Sequence, residues 1–206
     1  LIENENVPMA VRMMQMLSMG HHLQKNISEG QLFGLENIYD HYLSEGAANR
    51  MNVYLKEKWE KPGSRYHVMK GMFSCLHKLE ALSADWPGKV RHYEKILFSG
   101  GRKKYKALHR YRMPDKIAEQ LLSYFIYVYF AGAVYDGMPY SKIKLAVIST
   151  MLIEDMVCAK AAEKGQLSFE AIADAAHSYA REVEHSDLNL QRLSIMFRHQ
   201  KCFHIG

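Results

Sequence analysis

Leu121-Leu-Ser-Tyr-Phe-Ile-Tyr-Val-Tyr-Phe-Ala-Gly-Ala-Val-Tyr135 is the most apolar stretch of the chain, and the fold class turns on its reading. It is hydrophobic on every side, so it is either the central helix of a bundle or a membrane span. The run covers 15 residues, whereas a span needs about 20. Asp115, Lys116 and Glu119 flank it on one side and Asp136 on the other, and Ser123 and several tyrosines interrupt it. These features predict a buried central helix. Tyr124, Tyr127 and Tyr129 then need hydroxyl partners inside the bundle or at its edge. Either they line a pocket or they are ordinary core tyrosines.

Working outward, helical spacing continues in both directions. Pro8 suits a first turn, and Met9, Met13, Met16, Leu17 and Leu23 recur at steps of three and four. Ser28-x-x-Gln31 resembles a capping box ahead of Leu32, Leu35, Ile38, Tyr39 and Tyr42. A third helix is expected over 49–60, stopped by Lys61-Pro62-Gly63. An amphipathic stripe from Val68 to Leu82 ends near Asp85-Trp86-Pro87, and a shorter helix ends at Ser99-Gly100-Gly101. Pro114-Asp115 opens the apolar helix and Asp136-Gly137-Met138-Pro139 closes it as a turn. Ser141 to Lys164 reads as a long helix with Gly165 beyond its end, and Ser168 caps the next. No strand alternation and no fixed-period repeat stands out. The expected fold is all-α, an irregular bundle of about seven to nine helices around the apolar one. Residues 1–206 are read as a single helical domain, the C-terminal part of a longer protein, with a possible sub-boundary at 99–113.

Bulk composition agrees. Of 206 residues, 48% are hydrophobic and 24% charged, which is globular material with a real core. The first residues lack the basic and apolar regions of a signal peptide. Cys75, Cys158 and Cys202 are odd in number and widely spaced, so neither a disulfide framework nor a Cys-built metal centre is expected. Buried thiols in a reducing, cytoplasmic setting are.

The formal net charge of +5 is modest, but the cations are not spread evenly. Arg102, Lys103, Lys104, Lys106, Arg110 and Arg112 fall together, with Tyr105, His109 and Tyr111 interleaved and no acid between Lys95 and Asp115. Such a segment is a solvated loop, a surface for an acidic protein, or a phosphate- and base-binding strip. The absence of any helix-turn-helix, zinc-finger or RNP-type motif disfavours nucleic acid.

The second polar concentration is Tyr179-Ala-Arg-Glu-Val-Glu-His-Ser-Asp-Leu-Asn-Leu190. Glu182-x-x-His185 has the spacing used by di-iron bundles, which require a second such motif on a facing helix. The other pair, Asp174-x-x-His177, lies on the same helix and cannot face it, so no metal site is expected. A helix corner is the simpler reading, with Arg181 pairing locally and Ser186 or Asp187 capping the next helix. A substrate- or domain-contact role for Glu182, Glu184 or His185 stands beside it. No nucleophile elbow, P-loop, dinucleotide fingerprint or zinc-protease motif occurs.

Three stretches resemble one known family. Glu119-Gln-Leu-Leu-Ser-Tyr-Phe-Ile-Tyr-Val-Tyr-Phe130 followed by Ala133-Val-Tyr-Asp-Gly137 is similar to the central helix of the flagellin lysine-N-methylases. Arg181-Glu-Val-Glu-His-Ser186 with Asn189-Leu190 resembles their closing segment, and Leu76-His-Lys-Leu-Glu-Ala-Leu82 running to Trp86 their middle region. The resemblance implies a bacterial enzyme that methylates lysines of flagellin or another protein with S-adenosylmethionine. It also implies an iron–sulfur cluster, whose cysteine ligands have no counterpart in this chain. It makes Glu182 and His185 the candidate catalytic residues. Tyr124, Tyr127, Glu184, Arg102, Lys103 and Lys104 become candidate substrate-binding residues. The alternative is a non-enzymatic helical ligand-sensing or protein-interaction domain that uses the basic segment.

Overall fold

The computed structural model describes residues 1–31, 33–59 and 64–199. Leu32, the Lys61-Pro62-Gly63 breaker and Cys202 lie outside the described residues. Eleven α-helices are present among them and no strand: α1 Met9–Ser28, α2 Leu35–Leu43, α3 Glu45–Tyr54, α4 Ser64–Leu76, α5 Trp86–Phe98, α6 Gly101–Leu108, α7 Asp115–Phe130, α8 Ala133–Asp136, α9 Pro139–Lys164, α10 Phe169–Val183 and α11 Asp187–His199. A π-turn, Leu55–Trp59, follows α3 and a 3-10 turn, His109–Tyr111, follows α6. The all-α expectation is borne out, with more and shorter helices than the spacing suggested. Among the described residues, no helix is long and apolar enough to cross a membrane.

Local chemistry explains most boundaries. Ser168 caps α10 by accepting from the Ala171 N–H at 3.2 Å, as its position predicts. Gly165 ends α9 with φ 72°, the left-handed conformation that glycine adopts without penalty. The turn before α9 closes through Gly137 at φ 64° and through the Met138 N–H, which donates to Asp136. The expected capping box does not form. Ser28 is the last residue of α1 and its hydroxyl donates to the Gln24 carbonyl at 2.8 Å, the backbone bond that competes with capping. Ser44 caps α3 instead, accepting from Ala47 at 3.2 Å, so that helix starts earlier than the apolar spacing implied.

The chain forms two compact units. The first comprises residues 1–61, 115–147 and 200–206. Its core is organised on α1, which buries Val11, Met14, Met16 and Leu17. Gly20 lets α1 approach the start of α9, since a Cβ there would meet the Ile143 Cδ1 at 2.7 Å. Polar groups buried with that face are paired: Arg12 with Glu119 at 2.8 Å, Gln15 with the Tyr42 carbonyl at 3.0 Å, Ser18 with the Tyr42 hydroxyl at 3.0 Å. Arg12 also donates to the Ile2 carbonyl.

The second unit comprises residues 62–114 and 148–199. Phe73, Leu97, Leu152, Tyr179 and Leu193 are among its fully buried side chains. Tyr179 shares a hydrogen bond of 2.7 Å with Ser149, so the two hydroxyls enter the core as a satisfied pair.

The expected central helix is not the buried one. The stretch Leu121–Tyr135 breaks after Phe130 and continues as the short α8. On α7, Ala118, Leu122, Phe125 and Tyr129 are buried, one stripe at steps of three and four. Tyr124 is half exposed, Tyr127 is 85% exposed, and Val134 and Tyr135 on α8 face solvent. Composition misleads here because a tyrosine can keep its ring at the surface with its hydroxyl in water. The buried helix is α9, whose side chains from Ile143 to Val157 are almost all inaccessible, Lys144, Thr150 and Asp155 included. The paired expectation is that Leu152→Ala costs about 2–5 kcal/mol in thermal unfolding, while Tyr127→Ala stays within about 0.5 kcal/mol. The reverse order would restore α7 as the core helix.

Candidate functional site

The second unit holds two polar arrangements. The first begins at Asp155, a carboxylate in the middle of the apolar helix α9 and fully buried. A bare carboxylate there would be costly, so the surrounding helices must supply donors. Three do. Arg65 on α4 donates to Oδ1 at 3.2 Å, His109 in the 3-10 turn donates to Oδ1 at 3.0 Å, and Tyr105 on α6 donates to Oδ2 at 2.7 Å. Arg65 also meets Glu154 at 2.5 Å. The other His109 nitrogen faces the Tyr105 carbonyl at 2.9 Å. Both ring nitrogens thus face acceptors.

The electrostatics follow from this packing. Burial by itself would raise the Asp155 carboxyl, but the hydrogen bond from His109 and the charge of Arg65 outweigh it and hold the group below its ordinary value. Burial first, then the Asp155 charge, pushes Tyr105 up, so its hydroxyl stays a donor. Burial and the same carboxylates push the Cys158 thiol up and keep it protonated and inert.

This cluster corrects the reading of residues 99–113 as a loop. They form α6 and the 3-10 turn, because Tyr105 and Leu108 point inward while Lys103, Lys104 and Lys106 point out. Tyr105 stacks on Phe98 with ring centroids 5.6 Å apart and meets Tyr66 edge-on at 5.5 Å. Arg102 donates to His67 on α4 at 2.8 Å. The interleaved aromatics are thus engaged by the protein itself, and Tyr111 is covered by the Arg110 guanidinium at 4.6 Å from its ring.

The second arrangement is the corner between α10 and α11. Glu182 is fully buried, and its Oε2 accepts from the backbone N–H groups of Leu82 at 2.8 Å and Ser83 at 3.4 Å. Its Oε1 has Arg181 at 3.6 Å. Ser186 caps α11 by accepting from the Asn189 N–H at 3.2 Å. Buried Asn189 donates to the carbonyls of Glu80 at 2.7 Å and Glu182 at 2.8 Å, and accepts from the Glu80 N–H at 2.9 Å. Arg181 donates to Ser83 at 3.0 Å and lies 3.7 Å from Asp85. The Asp85 carboxyl is held down at about 2 by its bonds from Lys89 and Ser83. The corner is therefore a clamp on residues 80–85, whose backbone has no helix of its own to satisfy it. The expected helix corner is present, and Arg181 reaches this loop as well as its neighbour Glu182.

Of the candidate residues, the fold brings Glu182, Glu184 and His185 together at the end of α10, with Glu182 buried, Glu184 half-buried and His185 exposed. Arg102, Lys103 and Lys104 sit on α6, Arg102 against His67 and the two lysines exposed. Tyr124 and Tyr127 belong to the first unit. Asp155, Arg65, Tyr105 and His109 were not singled out by spacing. The available signal was one acid pair, Glu154-Asp155, inside an apolar run, which demands donors but does not name them. Among the described residues no group of three or more His, Cys, Asp or Glu side chains could hold a metal ion.

Two stability measurements probe these arrangements. Asp155→Asn removes a charge that three donors surround and costs about 3–5 kcal/mol at neutral pH. Because the native carboxyl is held below its ordinary value of 3.8, its contribution is present above that pH and is lost as pH falls through the native value. The gap between wild type and Asp155→Asn therefore narrows on acidification, read by urea unfolding at several pH values. In the corner, Glu182→Ala strands two backbone donors and costs about 1–3 kcal/mol. Glu182→Gln keeps an acceptor oxygen and loses less.

No curated protein and no solved structure matches the chain. One family does, and it matches throughout, beyond the three stretches that carried the resemblance. Its description ties the chain to proteins related to lysine N-methylases. Over residues 1–206 the chain belongs to the family of the FliB lysine N-methylase C-terminal domain.

Proposed function

We propose that this chain is the helical C-terminal portion of a bacterial, cytoplasmic protein lysine N-methyltransferase acting on flagellin, and that it binds and positions the protein substrate. The observation that carries the reading is the family match over residues 1–206. Methyl transfer to lysine needs a neutral amine, an acceptor for its proton and alignment with the methyl donor. The buried acids of the second unit are poor candidates for that acceptor. Asp155 already accepts from three side chains and Glu182 from two backbone N–H groups.

What the described surface offers is contact. His185 is exposed at the end of α10, and Lys103 and Lys104 are exposed on α6. Tyr127 presents its ring on α7, a face able to hold an ammonium group or an apolar stem. Glu182 is a positioning residue for the corner from which Glu184 and His185 project.

S-adenosylmethionine is the methyl donor we propose for the whole enzyme. The buried acids Asp155 and Glu182 are taken by the chain's own donors, and we assign none of its binding here. An iron–sulfur cluster does not fit these residues either. It takes several thiolates together, whereas Cys158 is buried and pushed toward the neutral thiol. No step is routed through it.

The experiment is intact-mass analysis of flagellin incubated with the full-length protein and S-adenosylmethionine. Methylation is expected with wild type. Glu182→Gln and His185→Ala are expected to keep kcat and to change KM, since they act on substrate contact. A full-length protein that leaves flagellin lysines unmodified would overturn the proposed activity. A loss of kcat at unchanged stability would move Glu182 or His185 into the chemistry.

A further inference from the structure

The charge of the chain is concentrated to an extent that its net value hides. Residues 62–114 hold twelve Lys and Arg against three Asp and Glu, a formal +9, while the whole chain carries +5 and the remaining residues therefore sum to −4. These residues are the α4–α5–α6 part of one compact unit. Two of the three acids are occupied by neighbours: Asp85 by Lys89 at 2.7 Å and Glu94 by His77 at 2.6 Å. Neither screens α6.

On α6 the separation of faces is sharp. Tyr105 and Leu108 are buried, and Tyr105 is bolted to Asp155 through its hydroxyl. Lys103 and Lys106 project from the opposite side of the helix and Lys104 lies beside Gly100. Among the described residues no carboxylate pairs with Lys103, Lys104 or Lys106. Lys70 on α4 and Lys95 on α5 are exposed as well. The anchor is rigid and buried, whereas the ammonium groups are in solvent on flexible stems. Fixed cations without internal counter-ions raise the local concentration of anionic partners.

The same geometry selects the class of anion. Strips that bind single-stranded nucleic acid combine cations with aromatic faces on which bases stack. Here Tyr105 is buried against Phe98 and Tyr66, His109 is held by Asp155, and Tyr111 lies under Arg110. Two of the segment's three aromatic rings are thus held by the protein itself, and the third carries a cation over one face. What remains is a set of spaced ammonium charges, complementary to spaced carboxylates.

We infer that the exposed lysine face of α6 docks a carboxylate-rich face of a partner protein. The assignment of a protein partner rests on the methyltransferase reading; the charge complementarity stands without it. Such contacts act mainly on association rate and on salt dependence.

The test uses the whole protein and a fluorescent helical peptide of glutamate and alanine, read by anisotropy across a salt series. A lysine–alanine peptide, a duplex DNA of equal charge and vesicles of phosphatidylserine serve as comparisons. Binding of the acidic peptide is expected, weakening with salt. The triple variant Lys103→Glu, Lys104→Glu, Lys106→Glu should bind it on the order of tenfold more weakly or worse. The neutral variant Lys103→Gln, Lys104→Gln, Lys106→Gln should fall between, and circular dichroism should match wild type for both. Peptide binding unchanged in both variants would overturn the inference, as would tighter binding to the duplex or the vesicles than to the acidic peptide. Flagellin left unmethylated by the wild-type protein, with peptide binding intact, would reject the enzyme reading and leave the docking surface standing. The opposite result would reject the surface alone.

Discussion

One buried carboxylate organises the second unit. Asp155 sits on the most inaccessible helix of the chain and draws in Arg65 from α4, Tyr105 from α6 and His109 from the turn that follows. An unpaired charge at that depth would be prohibitive, so the helices that supply its donors have little freedom to shift. Burial raises the group's proton affinity and its partners lower it, and the partners prevail. The consequence reaches the surface. Since Tyr105 is fixed by its hydroxyl and its ring, the lysines on the other side of α6 are held in a defined direction.

The corner at α10 and α11 works on the same principle with weaker bonds. A buried acid and a buried amide, Glu182 and Asn189, satisfy backbone groups of residues 80–83 that lie between helices. These are the residues that made the closing segment recognisable as a family signature. Their engagement explains why such residue types are needed there without any reference to chemistry. A signature can mark a structural clamp as readily as a reacting group. Polar residues deep in a fold are under as strict a demand as those that touch substrate.

The exposed features, by contrast, have no structural purpose of this kind. The lysines of α6 and the Tyr127 ring of α7 are exposed to solvent. In the second unit Asp155 and Glu182 are turned inward and the lysines of α6 outward. The charge separation between residues 62–114 and the rest gives that surface a direction that a net charge of +5 would not suggest.

Helical spacing, capping residues and glycine positions by themselves determined the all-α class, the end of α9, the start of α10 and a cap at Ser186 or Asp187, because each depends on neighbours within a turn or two along the chain. The family, too, was legible, through the order of three short stretches. Only the tertiary structure decided which helix is buried. Leu121–Tyr135 looked central and exposes four of its six rings, while α9, with its lysine, threonine and aspartate, is the inaccessible one. Burial depends on whether distant residues supply apolar surface and donors, and Asp155 is acceptable because Arg65 and His109 arrive from elsewhere in the sequence. The same holds for Glu182, whose partners lie about a hundred residues away. Periodicity reports which residues share a face; it does not report what that face will meet.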